Sequence, residues 1–406
     1  MEKKTMKKNT LNNENIICFA GEDWWYHNPH SNLHIMQSFA KNNRVLFVNS
    51  IGVRMPSLKK DPYAWKRIFR KLGSLLRYFR KGQENIYVLT PIAIPFLQRW
   101  RKEIQTVNKF LLVLQLRFIC FFLRLKQPIL WVCTPTFMDA AVALRKKFAK
   151  CLVYYCVDNI SYFRGGDKSY IETLDRCLHE KSDIAFFVNK DLWSERKDVN
   201  EHTYYLSHGV DYEHFAKARD DYLPVPEDIK TIPHPVVGYM GIIKAIDIEL
   251  VAYLAKRNPE KSFVFVGEIF RGVNELTSSG NVHFLGQKAY SVLPQYLKAF
   301  DCCTLYYKTD NNFDNYRNPK KFMEYMATGK PIVTVNTHEM KLFQDCIYIA
   351  DSYESFHNLI NEAIEKDDSV KKDRRIEIAR DRTWDTVSQE AAACIAMVIE
   401  TGRSQS

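Results

Sequence analysis

The sequence predicts an α/β protein built from two doubly wound domains, and three observations carry that reading. The chain has 406 residues, more than one hydrophobic core usually holds. Short β-branched or aromatic runs alternate with longer amphipathic ones in two successive series. Strands spaced by helices form parallel sheets covered on both faces. The composition, 46% hydrophobic with only 15 Gly and 15 Pro, is that of packed globular domains and excludes a disordered, collagen-like or low-complexity chain.

Taken in order, the first series of strands is expected at Ile16–Ala20, Arg44–Asn49, Ile86–Thr90, Ile129–Cys133, Leu152–Val157, Ile184–Val188 and Thr203–Leu206. The second is expected at Val236–Met240, Ser262–Val266, Val282–Leu285, Cys302–Tyr306, Pro331–Val335 and Cys346–Ile349. Helical spacing fills the gaps at Leu33–Lys41, Phe137–Phe148, Ile248–Lys256 and Val292–Ala299. Between the series, Phe215–Pro235 is rich in Pro and charge and poor in periodicity, which reads as a linker. The expected division is therefore a first domain over 1–217, a second over 218–382, and a terminal helix over 383–406 packing back toward the first. In such sheets ligands bind beyond the carboxyl ends of the strands, so the loops there are where chemistry is to be sought.

Charge and cysteine usage narrow the class. Lys and Arg total 58 against 47 Asp and Glu, a net +11, which suggests a polyanionic partner without choosing among nucleic acid, an anionic membrane and a phosphorylated substrate. The basic, polar start lacks the apolar stretch and cleavage site of a secretory signal. Phe110–Leu125 is the most apolar segment but is short and carries Arg117 and Arg124, so no membrane-spanning helix is expected. The ten Cys lie mostly in apolar runs without zinc-site spacing. Reduced, buried thiols in a cytoplasmic protein are expected.

The most informative segment is Asn318–Pro331, NPKKFMEYMATGKP. Asn318 can cap a helix, Pro319 suits its first turn, and Gly329 closes it. Free amides at that end, with Lys320 and Lys321, suit a phosphate. Glu324 lies one turn after Lys320 on the same face and could accept from both ribose hydroxyls. The alternative is an ordinary i,i+4 ion pair, worth only about 0.2–0.5 kcal/mol.

With four further matches, the chain resembles the retaining GT-B glycosyltransferases, in particular the GT4-like group that builds bacterial surface polysaccharides. Pro319, Lys320 or Lys321, Glu324, Ala327, Gly329 and Pro331 follow the family's donor helix. Leu206-Ser-His-Gly-Val-Asp211, followed by Phe215, resembles its crossing between domains, with His208 in place of Asn. Val237-Gly-Tyr-Met-Gly241 resembles the opening strand and glycine turn, and Phe263–Gly267 and Val282–Gly286 the strands framing the nucleobase. In the first domain, Phe19-Ala-Gly-Glu-Asp-Trp-Trp25 falls where the family places a glycine turn. Cys156-Val-Asp-Asn159 resembles the strand ending of the teichuronic-acid branch. Two positions depart from the pattern: Tyr316 replaces the first Glu of the paired carboxylates, and Ile242 stands where an Arg is usual, leaving Lys244 as the nearest cation.

The resemblance implies a GT-B fold, with two Rossmann-like doubly wound domains facing a central cleft, and retaining transfer of a sugar from a UDP- or GDP-sugar. No cofactor or metal is expected, since cations and helix-terminal amides can stabilise the departing diphosphate. The donor-site candidates are Gly241, Lys244, Gly267, Gly286, Lys320, Lys321 and Glu324. Asp158 is the catalytic candidate, with a helix cap as its alternative, and Gly21, Asp23 and Trp24 are the acceptor-side candidates, with plain packing as theirs. His34 and His208 are read as structural.

The acceptor is sought in the first domain. Lys59–Lys81 holds nine Lys or Arg and one acid. Trp65, Ile68, Phe69, Leu72, Leu75, Leu76 and Phe79 recur at helical spacing opposite Lys66, Arg67, Arg70, Lys71, Arg77, Arg80 and Lys81. Residues 64–81 thus read as a basic amphipathic helix suited to an anionic bilayer, or as a core-facing helix with a basic rim. A lipid-linked or glycan acceptor on the inner face of the cell membrane accounts for it, in surface glycan synthesis (capsule, O-antigen or teichuronic type). A sugar-nucleotide epimerase of the same fold and an inactive scaffold are the alternatives. No nucleic-acid partner is expected, because basic residues interleaved with stacking aromatics are absent from the pattern.

Overall fold

A computed structural model describes residues 11–26, 29–51, 64–94, 101–158, 168–243, 246–269, 276, 279–308 and 318–404. The chain forms two compact units, Met1–Leu206 with Val387–Ser406, and Ser207–Thr386.

The first unit is built on β1 (Asn15–Phe19), α1 (Ser31–Ala40), β2 (Arg44–Val48), α2 (Ala64–Leu76), β3 (Phe79–Gln83), β4 (Ile86–Leu89), α3 (Arg101–Phe122), β5 (Ile129–Val132), α4 (Met138–Lys147), β6 (Cys151–Cys156), α5 (Lys168–Lys181), β7 (Ile184–Phe187), α6 (Lys190–Arg196) and β8 (Thr203–Tyr205). Its sheet has the order β3-β4-β2-β1-β5-β6-β7-β8. All neighbours are parallel except β3 and β4. The continuous apolar strands are buried on both faces, with Trp131, Tyr154, Tyr155 and Phe186 among the largest enclosed side chains, as expected for a sheet covered by helices. The strand order reverses between β1 and β5, so the carboxyl end of β1 is the unit's topological switch point.

One sequence expectation is corrected here. The amphipathic helix ends at Leu76, and Phe79, Arg80 and Lys81 lie on the antiparallel edge strand β3. Tertiary contact overrides the helical spacing: Phe79, Arg80 and Lys81 pair with Leu89, Val88 and Tyr87 of β4, and the register shifts at Gly82, where a side chain would run into Val88 and Trp24. The second correction concerns α3, whose 22 residues exceed the expected apolar run. Glu103–Phe122 is long and apolar enough to cross a bilayer by length and composition.

The second unit contains α7 (Tyr212–Ala216), α8 (Glu227–Lys230), β9 (Val236–Met240), α9 (Ile248–Arg257), β10 (Ser262–Val266), β11 (Val282–Gly286), α10 (Leu293–Lys298), β12 (Cys302–Leu305), α11 (Lys320–Thr328), β13 (Ile332–Val335), α12 (His338–Lys341), β14 (Tyr348–Ala350), α13 (Tyr353–Lys366) and α14 (Ser369–Asp381). The last helix, α15 (Trp384–Ser404), belongs to the first unit from Val387 on. The second unit's parallel sheet has the order β11-β10-β9-β12-β13-β14. The stretch read as a linker is not one. Phe215, Ala218, Ile229 and Ile232 are buried in this unit's core, so the division falls at 206/207 rather than at 217/218.

Helix α11 is fixed from its carboxyl end. Gly329 follows it in the left-handed conformation (φ +69°), the usual helix stop where a Cβ is not tolerated. The wholly buried Arg375 of α14 donates to the Gly329 carbonyl at 2.9 and 3.2 Å, to the Cys346 carbonyl at 2.7 Å, and to both oxygens of Asp367. One guanidinium thus satisfies a helix terminus, a loop and a carboxylate together. Arg375→Leu leaves all three unpaired inside the protein, and the second unit should lose about 3–5 kcal/mol. Urea unfolding followed by circular dichroism measures it; a loss below about 1 kcal/mol would contradict this anchoring.

Candidate active site

In the second sheet the strand order reverses between β9 and β12, and the candidate donor residues gather at that switch point. Three strands end there in glycine. The Gly241 amide donates to the Val266 carbonyl at 2.8 Å, and the Gly267 amide to the Gly286 carbonyl at 2.9 Å, so the ends of β9, β10 and β11 are stapled in a row. Gly241 has φ +138°, a region L side chains rarely adopt, and a Cβ there would fall 2.1 Å from the Lys321 ammonium. A Cβ on Gly267 would fall 1.8 Å from the Gly241 carbonyl oxygen. Gly286 has φ +72° with open space above it.

Lys321 occupies the room that Gly241 leaves. Its ammonium donates to the Tyr239 hydroxyl at 2.8 Å and lies 4.3 Å from that ring's centroid and 5.7 Å from that of Tyr307. These contacts aim the charge across the end of β9. Lys320 forms the i,i+4 pair with Glu324 at 3.1 Å, and its ammonium lies 5.6 Å from the centroid of the Tyr290 ring. Glu324 is nearly buried, unlike the partner in an ordinary surface pair. A carboxylate offers about four lone-pair sites, more than one flanking cation occupies.

The start of α11 differs from the expected cap. Asn318 donates to the Glu339 carboxylate at 3.0 Å instead of capping the helix, and Pro319 takes the cap position with no side-chain bond. The end of the helix dipole, with Lys320 and Lys321 in its first turn, places positive charge at that end. Lys244 and Tyr316 lie outside the described residues.

Two further groups stand at this site, neither of them among the sequence's site candidates. His208, read as structural, is buried beside Lys320. Burial and the nearby charges of Lys320 and Arg382 push its pKa down to about 3, against the pull of a backbone bond at Asn318, so it is neutral near pH 7. Tyr290 stacks on His214 at 4.6 Å, and the His214 ring meets the Tyr290 carbonyl at 2.9 Å. Burial, then the charge of Glu324, raises the Tyr290 hydroxyl pKa. The Asp211-x-x-His214 spacing of a short capped helix was the only sequence sign of this support.

In the first unit the acceptor-side candidates occupy the loop after β1. Gly21 is exposed with open space at its Cβ. Asp23 accepts from the Trp25 amide at 3.0 Å and from the Ser74 hydroxyl at 2.6 Å, which fastens the loop to α2. Trp24 donates its amide to Asn49 at 2.9 Å and sets its ring edge-on to Phe47. These two residues shape the loop. Asp158 is exposed, two residues past the end of β6 on the same sheet edge.

That loop also holds Glu22, which the sequence reading passed over. Burial lifts its carboxyl to about pH 7, against the pull of Asn32 and the Gly21 and Glu22 amides. Its side chain meets the Asn32 amide at 3.3 Å. A carboxyl titrating near neutrality at a switch point is the kind of group active sites contain. Among the described residues, no group of three or more His, Cys, Asp or Glu is placed to hold a metal ion.

No family model matches the chain. A teichuronic acid biosynthesis glycosyltransferase by name, TuaH of Bacillus subtilis, is 27% identical over 214 residues. That match covers 50% of this chain and 52% of TuaH, so the chain spans about half the length of its curated relative. Among solved structures, Anabaena HepE in complex with UDP and glucose aligns with a TM-score of 0.62 at 15% identity, over 97% of this chain and 100% of HepE. The α,α-trehalose 6-phosphate synthase of Burkholderia multivorans aligns at 0.66 with 10% identity, over 98% and 100%. These likenesses establish the fold: two Rossmann-like parallel-sheet domains of the GT-B type.

The raised pKa of Glu22 sets a direction for stability. Below about pH 4.5 the carboxyl is protonated both folded and unfolded. From there to about pH 7 only the unfolded chain releases the proton, so stability falls as pH rises through that window. Glu22→Gln should remove this slope and gain up to about 3 kcal/mol over the natural protein at pH 8. Thermal melts at pH 4, 6 and 8 test it; parallel curves for the two proteins would refute it.

Proposed function

We propose that the protein is a glycosyltransferase that moves a sugar from a UDP- or GDP-sugar to a lipid-linked or glycan acceptor. The observation that carries this reading is the meeting of Lys320, Lys321, Glu324 and the Gly241 turn at the switch point of the second sheet. A nucleotide diphosphate needs positive charge that does not have to be reorganised when the sugar–phosphate bond breaks. Lys321, pinned against Tyr239, and the positive end of the α11 dipole supply it; Lys320 adds the second cation as it exchanges Glu324 for phosphate. Glu324 then accepts from the ribose hydroxyls. The similar proteins favour the same chemistry: TuaH is named for teichuronic acid glycosyl transfer, and HepE is known in complex with UDP-glucose.

No metal has a role in this scheme, because the cations and amides meet the leaving diphosphate directly. Retention of anomeric configuration follows from the family resemblance. In the first unit Asp158 contacts the transferred sugar or acceptor, and the β1 loop of Gly21, Asp23 and Trp24 bounds the acceptor. The acceptor is placed at the inner face of the cell membrane, in surface glycan synthesis of the capsule, O-antigen or teichuronic type. Helix α2 supports this location. Phe69, Leu72 and Leu76, one stripe of that helix, are 66%, 51% and 83% exposed, whereas a core-facing helix would bury them.

A panel of UDP-, GDP- and ADP-sugars, scored for thermal stabilisation and for sugar release, identifies the donor. Glu324→Ala and Lys320→Ala should each cut turnover of that donor by about a hundredfold or more, the loss of about 2.7 kcal/mol of transition-state binding, with melting curves intact. Full activity in both variants would overturn the site. An epimerized sugar nucleotide recovered without any acceptor would favour the epimerase reading instead.

A further inference from the structure

Helix α3 is apolar on two sides, and the first unit covers one of them. Leu112, Leu116, Ile119 and Cys120 are buried, along the side of α3 that packs on α4. On the opposite side Val107, Phe110, Leu114, Phe118 and Phe121 recur at intervals of three, four, four and three, one continuous helical stripe. They are 43%, 67%, 55%, 68% and 85% exposed, and Phe122 beside them is 73% exposed. Only 28% of the helix's most apolar window is buried. A phenylalanine side chain presents about 150–250 Å², so this face offers several hundred Å² of apolar surface. That is beyond the scatter of single exposed residues normal on a soluble domain.

The surface is built rather than frayed. Two side-chain amides of α3 clasp the segment that precedes it. Gln115 accepts from the Ile92 amide at 2.9 Å and donates to its carbonyl at 3.0 Å. Asn108 accepts from the Ile94 amide at 2.7 Å and donates to its carbonyl at 2.9 Å. Both isoleucines, fixed in this way, are themselves 57% and 43% exposed. Polar groups that would otherwise face outward are thus spent on the backbone, and apolar side chains are left facing out.

We infer that the exposed face of α3 docks on an anionic lipid bilayer, lying in the interface with its phenylalanines among the acyl chains. The charges decide for lipid over a second copy of the chain. Between residues 101 and 126 there are six Lys or Arg and a single acid, Glu103. Arg117, Arg124 and Lys126 are exposed around the aromatic end. Facing another copy, this rim would meet its own like charges, whereas lipid phosphates complement it. Aromatic side chains bordered by cations suit the headgroup boundary. The helix lies on the membrane rather than across it, because its other side is committed to the core of the first unit.

This inference rests on the membrane location proposed above and adds a second, deeper element to the α2 stripe, so the test separates the two. The full chain is floated with vesicles of phosphatidylglycerol and phosphatidylcholine in low and in 0.5 M salt. The variants are a triple Phe110→Ser/Phe118→Ser/Phe121→Ser and a quadruple Lys66→Gln/Arg67→Gln/Arg70→Gln/Lys71→Gln. The triple variant should lose at least about tenfold in partitioning, with unchanged circular dichroism and unchanged donor hydrolysis in solution. The natural protein should keep part of its binding in 0.5 M salt, as apolar insertion requires. A Phe118→Trp variant should show blue-shifted emission on vesicles and quenching by brominated lipid. If the triple variant binds like the natural protein while the quadruple variant does not, the α3 assignment fails and the membrane location stands. If the natural protein does not bind at low salt, both fail. If it is instead a dimer in solution that the triple variant dissolves, and vesicles do not bind, the face belongs to a second copy and the inference is overturned.

Discussion

Two missing side chains govern the candidate donor site. Gly241 leaves the space in which the Lys321 ammonium rests, and Gly267 leaves the space for the Gly241 carbonyl. The ends of β9 and β10 and the first turn of α11 can therefore converge far more closely than residues with a Cβ would permit. Close approach is what a phosphate site needs, because amides and ammonium groups stabilise charge only at hydrogen-bond distance. The tyrosines complete the cradle. Tyr239 receives the lysine and passes its own hydroxyl hydrogen to the Ile242 carbonyl at 3.1 Å. The Tyr325 hydroxyl accepts from the Met240 amide at 2.7 Å, which ties α11 to the same strand end.

Rigidity reaches this convergence from outside the site. Arg375 closes the far end of α11, and His208 lies near its start, kept neutral by burial and by Lys320 itself. A charged imidazole there would repel the cation the site depends on. The first unit contrasts with this. Its switch-point loop is fastened by Asp23, Asn49 and Ser74, yet holds a carboxyl whose burial leaves it titrating near neutrality.

The strand series was legible because parallel strands buried on both faces read as short continuous apolar runs. Val236–Met240 and Ser262–Val266 match their expected bounds, and the others differ by one or two residues. Three features were not legible. Phe79–Lys81 continue a helical spacing but form an edge strand, because pairing with β4 outweighs periodicity. The 215–235 stretch has a linker's composition, but four of its scattered apolar residues are buried in a core that composition does not reveal. Asn318 has the right chemistry for a cap, but Glu339, distant in sequence, offers it a better bond.

By itself, the sequence determined two parallel-sheet domains, the placing of Lys320 and Glu324 on one helix face, and the glycines that end the donor strands. Each follows from a local rule of spacing, capping or backbone freedom that acts within a few residues. Only the tertiary structure decided that Lys321 leans on Tyr239, that Glu22 is lifted toward neutral pH, and that the phenylalanines of α3 face outward. Those outcomes depend on which groups from remote strands and helices share a volume, and on which side of a doubly apolar helix the core takes up. Local pattern carries no information about either.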